Sequence, residues 1–304
     1  MTLPSVKRWL PPSGDPAPDP TIMGEMLAAL VAHRETPTNV ALACRRAGAR
    51  ILSPAEALQT LRGGDVAFGR LDISPHLDGI EIGLWELARL EGAGVRVLNR
   101  PRALVAAHDK LATGRALADA SVPHPRTAHI TAPSSHVPIE PPVVVKPRFG
   151  SWGRDVALCE DAASLRRQLA RIAHRRWFKS HGALVQELVP PVGEDLRLVV
   201  AGGTLVGAVR RVAAPGEWRT NVALGATRHA VTPTAEARDL AIAAARALEA
   251  DLVGVDLLPT PDGGHVVIEL NGAVEFNEEY ALDGGDVFER TLTALLRDPV
   301  AAVA

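Results

Sequence analysis

The sequence holds two cysteines among 304 residues, Cys44 and Cys159. They are far apart and make no metal-ligand spacing, which fits a reduced, cytoplasmic protein in which both are small core residues. No charge of one sign accumulates: the net charge is −2, so no basic surface calls for nucleic acid as a partner. No apolar run approaches the roughly 18 residues of a membrane-spanning helix, so no membrane partner is expected. The first 20 residues lack a long apolar stretch and are rich in proline, which argues against a secretory signal. Neither GxxxxGK[ST] nor a GxGxxG opening a helix after a first strand is found, so a Walker loop and a Rossmann fingerprint are both excluded. What is present is ordinary globular usage, 47% hydrophobic and 22% charged, over a length that suggests about two or three packed units.

The pattern along the chain is that of an α/β (α+β) protein. Residues 1–20 read as an extended or disordered lead-in. Apolar spacing predicts a helix over 21–32 and another over 39–46, ending at Gly48. Strands are expected at 50–52, 65–70 and 95–98, with helices at 55–61 and 83–91 between them. That alternation makes residues 21–100 a small unit with a mainly parallel sheet. A helical region over 102–120 is interrupted at His108-Asp109, and Val122-Pro123-His124-Pro125 breaks it. Strands follow at 127–130, 143–146 and 183–189, with a helix over 162–173 and a basic run over 174–179. Gly193-Glu194-Asp195 reads as a turn. Strands 196–200 and 204–211 form a hairpin about Gly202-Gly203, and a helix is expected over 234–249. A second hairpin joins strands 253–258 and 266–271, and a helix over about 287–296 follows.

The chain's chemistry gathers around VVVKPRFGSWGRDV. Three β-branched valines deliver Lys146, and the loop behind it offers Gly150, Ser151, Trp152 and Gly153. Glycines let backbone N–H groups approach a ligand, and such loops can wrap phosphates; an ordinary hairpin turn with a surface lysine has the same look. Lys110 alone reads as a solvated helix lysine. Arg210 and Arg211, at a strand end, suit either an anion clamp or edge-strand charges. Asp256 and Glu269 sit among apolar strand residues, where an unpartnered carboxylate is costly. The hairpin can set them side by side, and Asn271 shares the face of Glu269 two residues on. Two carboxylates and an amide oxygen suit Mg²⁺; arginine partners would satisfy the acids equally.

Taken together, HDKLAT, VVVKP, FGSWGR, QELV and the D…ExN set resemble, in order and spacing, the ATP-grasp carboxylate–amine ligases, over nearly the whole chain after residue 20. The resemblance implies ATP as substrate and Mg²⁺, or Mn²⁺, as metal. It implies that Lys110 and Lys146 contact the nucleotide and that Gly150, Ser151, Trp152 and Gly153 cover the triphosphate. Gln186, Glu187, Leu188 and Val189 would form the hinge that reads adenine, with Glu187 or Asp195 near the ribose. Asp256, Glu269 and Asn271 would hold the metal. EDLRLVVAGGTLVGAVRR, WRTNVALGA and ELN are similar to the glutamate-ligase branch, which includes ligases that extend ribosomal protein tails and ligases that load a carrier protein. In that branch Arg197, Arg211 and Asn221 would contact phosphate or substrate. Ala226 and Trp152 depart from the branch's pattern. The family's organisation implies a pre-ATP-grasp unit over 21–100, a lid over 101–189 and a metal-bearing unit over 190–304. The implied reaction joins a small, amino-acid-like carboxylate to an amine through an acylphosphate, the acceptor being a small molecule, a carrier protein or a peptide tail. A homo-oligomer is compatible with this reading. The rivals are a small-molecule kinase or thiol ligase on the same fold, and a non-catalytic nucleotide-binding module.

Overall fold

The computed structural model describes residues 27–45 and 49–297. The expected lead-in and the first half of the first expected helix, residues 21–26, lie outside them. Within them, the end of that helix is instead a strand, β1 (Ala28–Val31), buried at every residue. Alternate residues of β1 enter different cores: Ala28 and Leu30 face the C-terminal unit, whereas Ala29 and Val31 pack under helices of their own unit. A strand covered on both faces reads as a continuous apolar run, which helical spacing mimics.

β1 lies in a four-stranded parallel sheet with β2 (Arg50–Leu52), β3 (Val66–Gly69) and β4 (Arg96–Leu98), ordered β2-β1-β3-β4. Helices α1 (Pro37–Cys44), α2 (Pro54–Thr60) and α3 (Leu84–Gly92) connect the strands. Thr36 caps α1, and Ser53 with Glu56 makes a capping box on α2. Cys159 is buried as expected, but Cys44 is exposed at the end of α1 and is no core residue.

The central sheet is antiparallel, ordered β5-β8-β6-β7, from β5 (Thr127–Ile130), β6 (Val143–Pro147), β7 (Ala157–Cys159) and β8 (Ala183–Glu187). Helices α6 (Ala162–Ile172) and α7 (Arg176–His181) cover one face, where Val143, Val145 and Val185 meet Leu169, Ile172 and Trp177. The basic run is thus a short helix anchored by Trp177 and Phe178. The two-residue period puts Val144, Lys146 and Gln186 on the opposite face.

The third sheet, also antiparallel, runs β11-β10-β9-β12-β13, with β9 (Glu194–Ala201), β10 (Thr204–Val212), β11 (Thr227–Ala230), β12 (Leu252–Pro259) and β13 (His265–Asn271). Helix α8 (Ala235–Ala247) covers one face against Leu198, Val200, Val253 and Val255. The other face presents Val199, Ala201 and Leu252 to β1, β3 and helix α9 (Val287–Leu296). Helices α4 (Pro101–His108) and α5 (Lys110–Asp119), grouped with the lid by sequence, bury Ala107 and Leu117 in the α8 core.

Side chain to backbone bonds hold the first unit on the third. Asn99 Nδ2 donates to Leu252 O (2.6 Å) and Gly272 O (3.2 Å), and its Oδ1 accepts from the N–H groups of Asp251 and Leu252. Thr38 Oγ1 donates to Phe276 O at 2.8 Å and accepts from Phe276 N at 3.0 Å. Arg70, buried, donates to Val274 O at 2.6 Å and to Glu275 at 3.0 Å. All three grip residues that follow β13, so the loop after Asn271 is set by the N-terminal unit.

Candidate active site

The third sheet's face changes character along its length. Beyond Val199, Val209 and Leu252, the same face carries Arg197, Arg211 and Asp256. The register makes these cross-strand partners: Arg211 opposite Asp195, Arg197 opposite Asp256, and Asp256 opposite Glu269. Apolar packing covers one end of this face, and a ladder of charges occupies the other.

Within the ladder, Asp256 is buried and bonds both arginines: Arg197 through Nε and Nη2, the latter at 2.8 Å, and Arg211 Nη2 at 2.9 Å. Burial opposes ionisation of its carboxyl, but the two guanidiniums outweigh it and hold Asp256 below the usual carboxylate range. Arg211 in turn is gripped by Asp195, with Nε to Oδ1 at 2.7 Å and Nη2 to Oδ2. Thr220 Oγ1 donates to Asp195 Oδ2 at 2.5 Å. Burial pushes the Asp195 carboxyl up despite Arg211, and the Arg211 guanidinium, though buried, is held well above its ordinary value by Asp256 and Asp195. Asp195 therefore lies in β9 rather than in a turn. Its carboxylate is engaged by Arg211 and Thr220, and it lines the same cleft as Glu187. Arg197 lies outside the lining of the cleft described below; its head orients Asp256.

A cleft enclosing about 950 Å³, including its part open to solvent, runs between this ladder and the lid sheet. Into it project both lysines foreseen by sequence. Lys110 follows Asp109, whose carboxylate caps α5 by accepting from Leu111 N (3.0 Å) and pairs with Arg148. The helix break at His108-Asp109 aims Lys110 at the cleft, where Nζ donates to Gly150 O at 2.6 Å and lies 3.4 Å from Glu269 Oε2. Lys146, buried on β6, donates to Gln186 Oε1 at 2.7 Å. Burial lowers its ammonium to about 8, with Glu269 opposing that fall and Lys110 adding to it.

Glycine-rich residues 149–154 form one rim. Trp152 and Gly153 both have positive φ, +57° and +69°. At Gly153 a Cβ would stand 2.7 Å from Asn221 Oδ1, so only glycine lets the two loops meet. Arg219 Nη1 donates to Gly153 O at 3.0 Å, and Arg154 lies over the Trp152 ring at 4.6 Å. The Glu217 carboxylate accepts from Arg219 and from its backbone, which lowers it to about 2. At the other rim the chain leaves β8 as Glu187, Leu188 and Val189, and Leu188 N donates to Pro142 O at 3.3 Å. Val144, Val156, Leu258 and Ile268 supply apolar lining to the same cleft.

Of the residues singled out by sequence, Lys110, Lys146, Gly150, Ser151, Trp152, Gly153, Gln186, Glu187, Leu188, Val189, Asp195, Arg211, Asn221, Asp256 and Glu269 line one cleft. Arg197 and Asn271 do not; Asn271 Oδ1 accepts from Ala273 N at 3.0 Å at the end of β13. Sequence reasoning missed Asp109, Arg219, Thr220 and the four apolar lining residues. Asp109 had a signal, a capping residue at a helix break; Thr220 had none. Among the described residues no three His, Cys, Asp or Glu side chains converge on one point.

Two antiparallel sheets closing on a lysine-lined cleft, behind a parallel N-terminal sheet, define an ATP-grasp enzyme. The chain belongs to the RimK-like ATP-grasp family, whose domain profile matches residues 107–290. It is 32% identical over 204 residues to glutamate--LysW ligase ArgX of Sulfurisphaera tokodaii, covering 64% of this chain and 70% of that protein. It is 31% identical over 220 residues to human N-acetylaspartylglutamate synthase A, covering 69% of this chain and 55% of that one. The chain thus spans about half the length of that relative. The crystal structure of a RimK domain ATP-grasp protein from Sphaerobacter thermophilus superimposes with a TM-score of 0.65 at 25% identity, covering 89% of this chain and all of that one. The enzyme class is that of ATP-dependent carboxylate–amine ligases. No helix among the described residues is long and apolar enough to cross a membrane.

Proposed function

We propose that the cleft binds ATP and activates the carboxylate of a small acid or of a carrier or peptide tail, which an amino acid then attacks through its amine. The observation that carries this reading is the convergence of Lys110, Lys146 and the Arg211–Asp256 ladder on one cleft. Within it, Glu187, Leu188 and Val189 meet the adenine at the hinge, among the apolar side chains. Lys110 and Lys146 neutralise the phosphates. Residues 149–154 fold over them and exclude water.

Asp256 and Glu269 face each other across β12 and β13, and Lys110 Nζ already stands at Glu269 as a cation does. Two carboxylates suit a hard, oxygen-preferring ion, and the Asn271 amide, now turned to Ala273 N two residues beyond Glu269, would have to turn to join them; these residues would hold Mg²⁺, or Mn²⁺ in its place. Such an ion supplies charge neutralisation on the triphosphate. Every remaining role falls to the chain itself. Asp195 and Asp256 hold Arg211 through Nε and Nη2, which leaves Nη1 for an oxygen of the transferred phosphoryl group. Asn221 stands beside Gly153, on the cleft side of the phosphate loop. The substrate carboxylate attacks the γ-phosphorus and ADP leaves. The amine then attacks the acylphosphate carbonyl, and phosphate departs with the former carboxylate oxygen. Positioning and preorganised charge account for the catalysis, and no side chain of the ladder is a free general base.

The amine is an amino acid of the glutamate kind. An N-acetylated aspartate has no free amine, so in the human relative's product glutamate is the nitrogen donor. The test is ADP release over a matrix of carboxylates and amino acids, with mass spectrometry of the products. A product lighter by one water than the sum of one pair is expected. A stable phosphorylated product with no dependence on an amine would replace the ligase by a kinase.

A further inference from the structure

Between α5 and β5 the chain passes through Pro123-His124-Pro125, and the histidine is turned into protein. Its Nδ1 is 2.8 Å from Val267 O on β13, and Val267 N donates to Pro123 O at 2.9 Å. Its Nε2 is 3.2 Å from Gln186 Nε2 on β8. Gln186 Nε2 also donates to Thr127 Oγ1 at 2.8 Å, and the threonine hydroxyl donates to Pro125 O at 2.9 Å. At its other end, Gln186 Oε1 accepts from Lys146 Nζ at 2.7 Å.

One arrangement of protons satisfies every contact. An ammonium only donates, so Gln186 must turn its oxygen to Lys146. Its amino end then faces His124 and Thr127. A carbonyl only accepts, so His124 carries its proton on Nδ1 and offers a lone pair at Nε2. Burial lowers the His124 imidazole to about 4, which keeps the ring neutral near pH 7. A proton on Nε2 would oppose the amino group of Gln186. Relieving that clash by turning Gln186 would aim its amino group at the lysine.

We infer that His124 is a positioning residue for Lys146: through Gln186, its Nε2 lone pair fixes the amide that holds the lysine toward the nucleotide. The inference rests on the reading above that Lys146 contacts ATP. The chain of bonds runs from β6 to β8, through the linker, to β13. It therefore ties the lysine to the setting of the lid sheet on the third sheet, two residues from Glu269.

Calorimetric titration with ADP and MgCl₂ tests it on wild type, Lys146→Ala, Gln186→Leu, His124→Asn and the double variant, with melting temperatures recorded separately. Asparagine retains a donor for Val267 O and lacks the Nε2 acceptor. His124→Asn and Gln186→Leu should each weaken ADP by about twofold to tenfold, the span of one hydrogen bond. The double variant should be no weaker than Gln186→Leu. Losses that multiply, or unchanged affinity in His124→Asn beside a weakened Gln186→Leu, would overturn the inference. Unchanged affinity in Lys146→Ala would instead remove the nucleotide reading of that lysine. Nitrogen-15 spectra of the wild-type ring need no variant to fold. A neutral Nδ1–H tautomer at pH 7 is expected, and an Nε2–H or charged ring would equally overturn it.

Discussion

Lys146 carries the clearest consequence of burial at the residue scale. Its ammonium, lowered to about 8, is charged below that pH in the free protein, and a bound polyphosphate, as a nearby opposite charge, would raise it again. Affinity for ATP should therefore be full below about pH 8 and fall as pH rises through it. Lys146→Ala should weaken ATP by about 1–3 kcal/mol, the range for a lost hydrogen bond to a charged group, and should flatten that dependence. Calorimetry from pH 6.5 to 9.5 checks both; a pH-independent wild type contradicts the assignment. Glu269→Gln preserves shape and removes charge beside Lys110. It should abolish ADP formation with every carboxylate, keep the melting temperature within about 2 °C as surface-facing changes do, and raise the Mg²⁺ needed for nucleotide binding. Normal turnover would mark Glu269 as structural. Glu269, with Asp256, was legible from sequence because a charge inside an apolar strand demands a partner, whereas Lys146 stood out through the order of motifs. The partners were not: Arg197 and Arg211 reach Asp256 from strands 59 and 45 residues away, a distance that neither spacing nor periodicity encodes.

Elements whose pattern was local were legible, and those fixed by tertiary cover were not. The hairpin of β12 and β13 and the final helix fall where alternation and spacing put them. β1 did not, because both its faces are buried, and the start of β9 did not, because its polar residues are paired across strands. Asn99, at the exit of β4, was read only as the end of a unit. Its side chain makes three bonds within 3.0 Å and a fourth at 3.2 Å to the third unit, with its backbone at φ +53°. Asn99→Ala should cost about 2–4 kcal/mol, at roughly 1 kcal/mol for each buried hydrogen bond. A urea midpoint equal to wild type would show that the units dock by apolar packing alone. Residues 149–154 should exchange amide hydrogens faster than β6 without nucleotide and slow on adding ATP. Arg219→Ala, which frees Gly153 O, should speed exchange in the nucleotide-free loop. Exchange unaffected by ATP would mean that this loop is no cover.

The whole molecule is organised by the third sheet, one face of which is core at one end and charge ladder at the other. The N-terminal unit covers the apolar end and grips the loop after β13, and the lid sheet stands over the charged end. The boundary expected at residue 101 blurs for this reason: α4 and α5 leave the first unit, pack on the third, and carry Lys110 toward the lid. The order of motifs made the fold legible as a whole. The carboxylate and the amine were not legible, because no residue pattern in the chain points to either. The central claim is that ATP activates a carboxylate for attack by an amine. With a substrate pair found by the matrix, the carboxylate is labelled on both oxygens with ¹⁸O and the released phosphate is examined by phosphorus NMR. The account predicts one ¹⁸O in each phosphate released, carried over from the acylphosphate. Phosphate free of label, with product still formed, would contradict it.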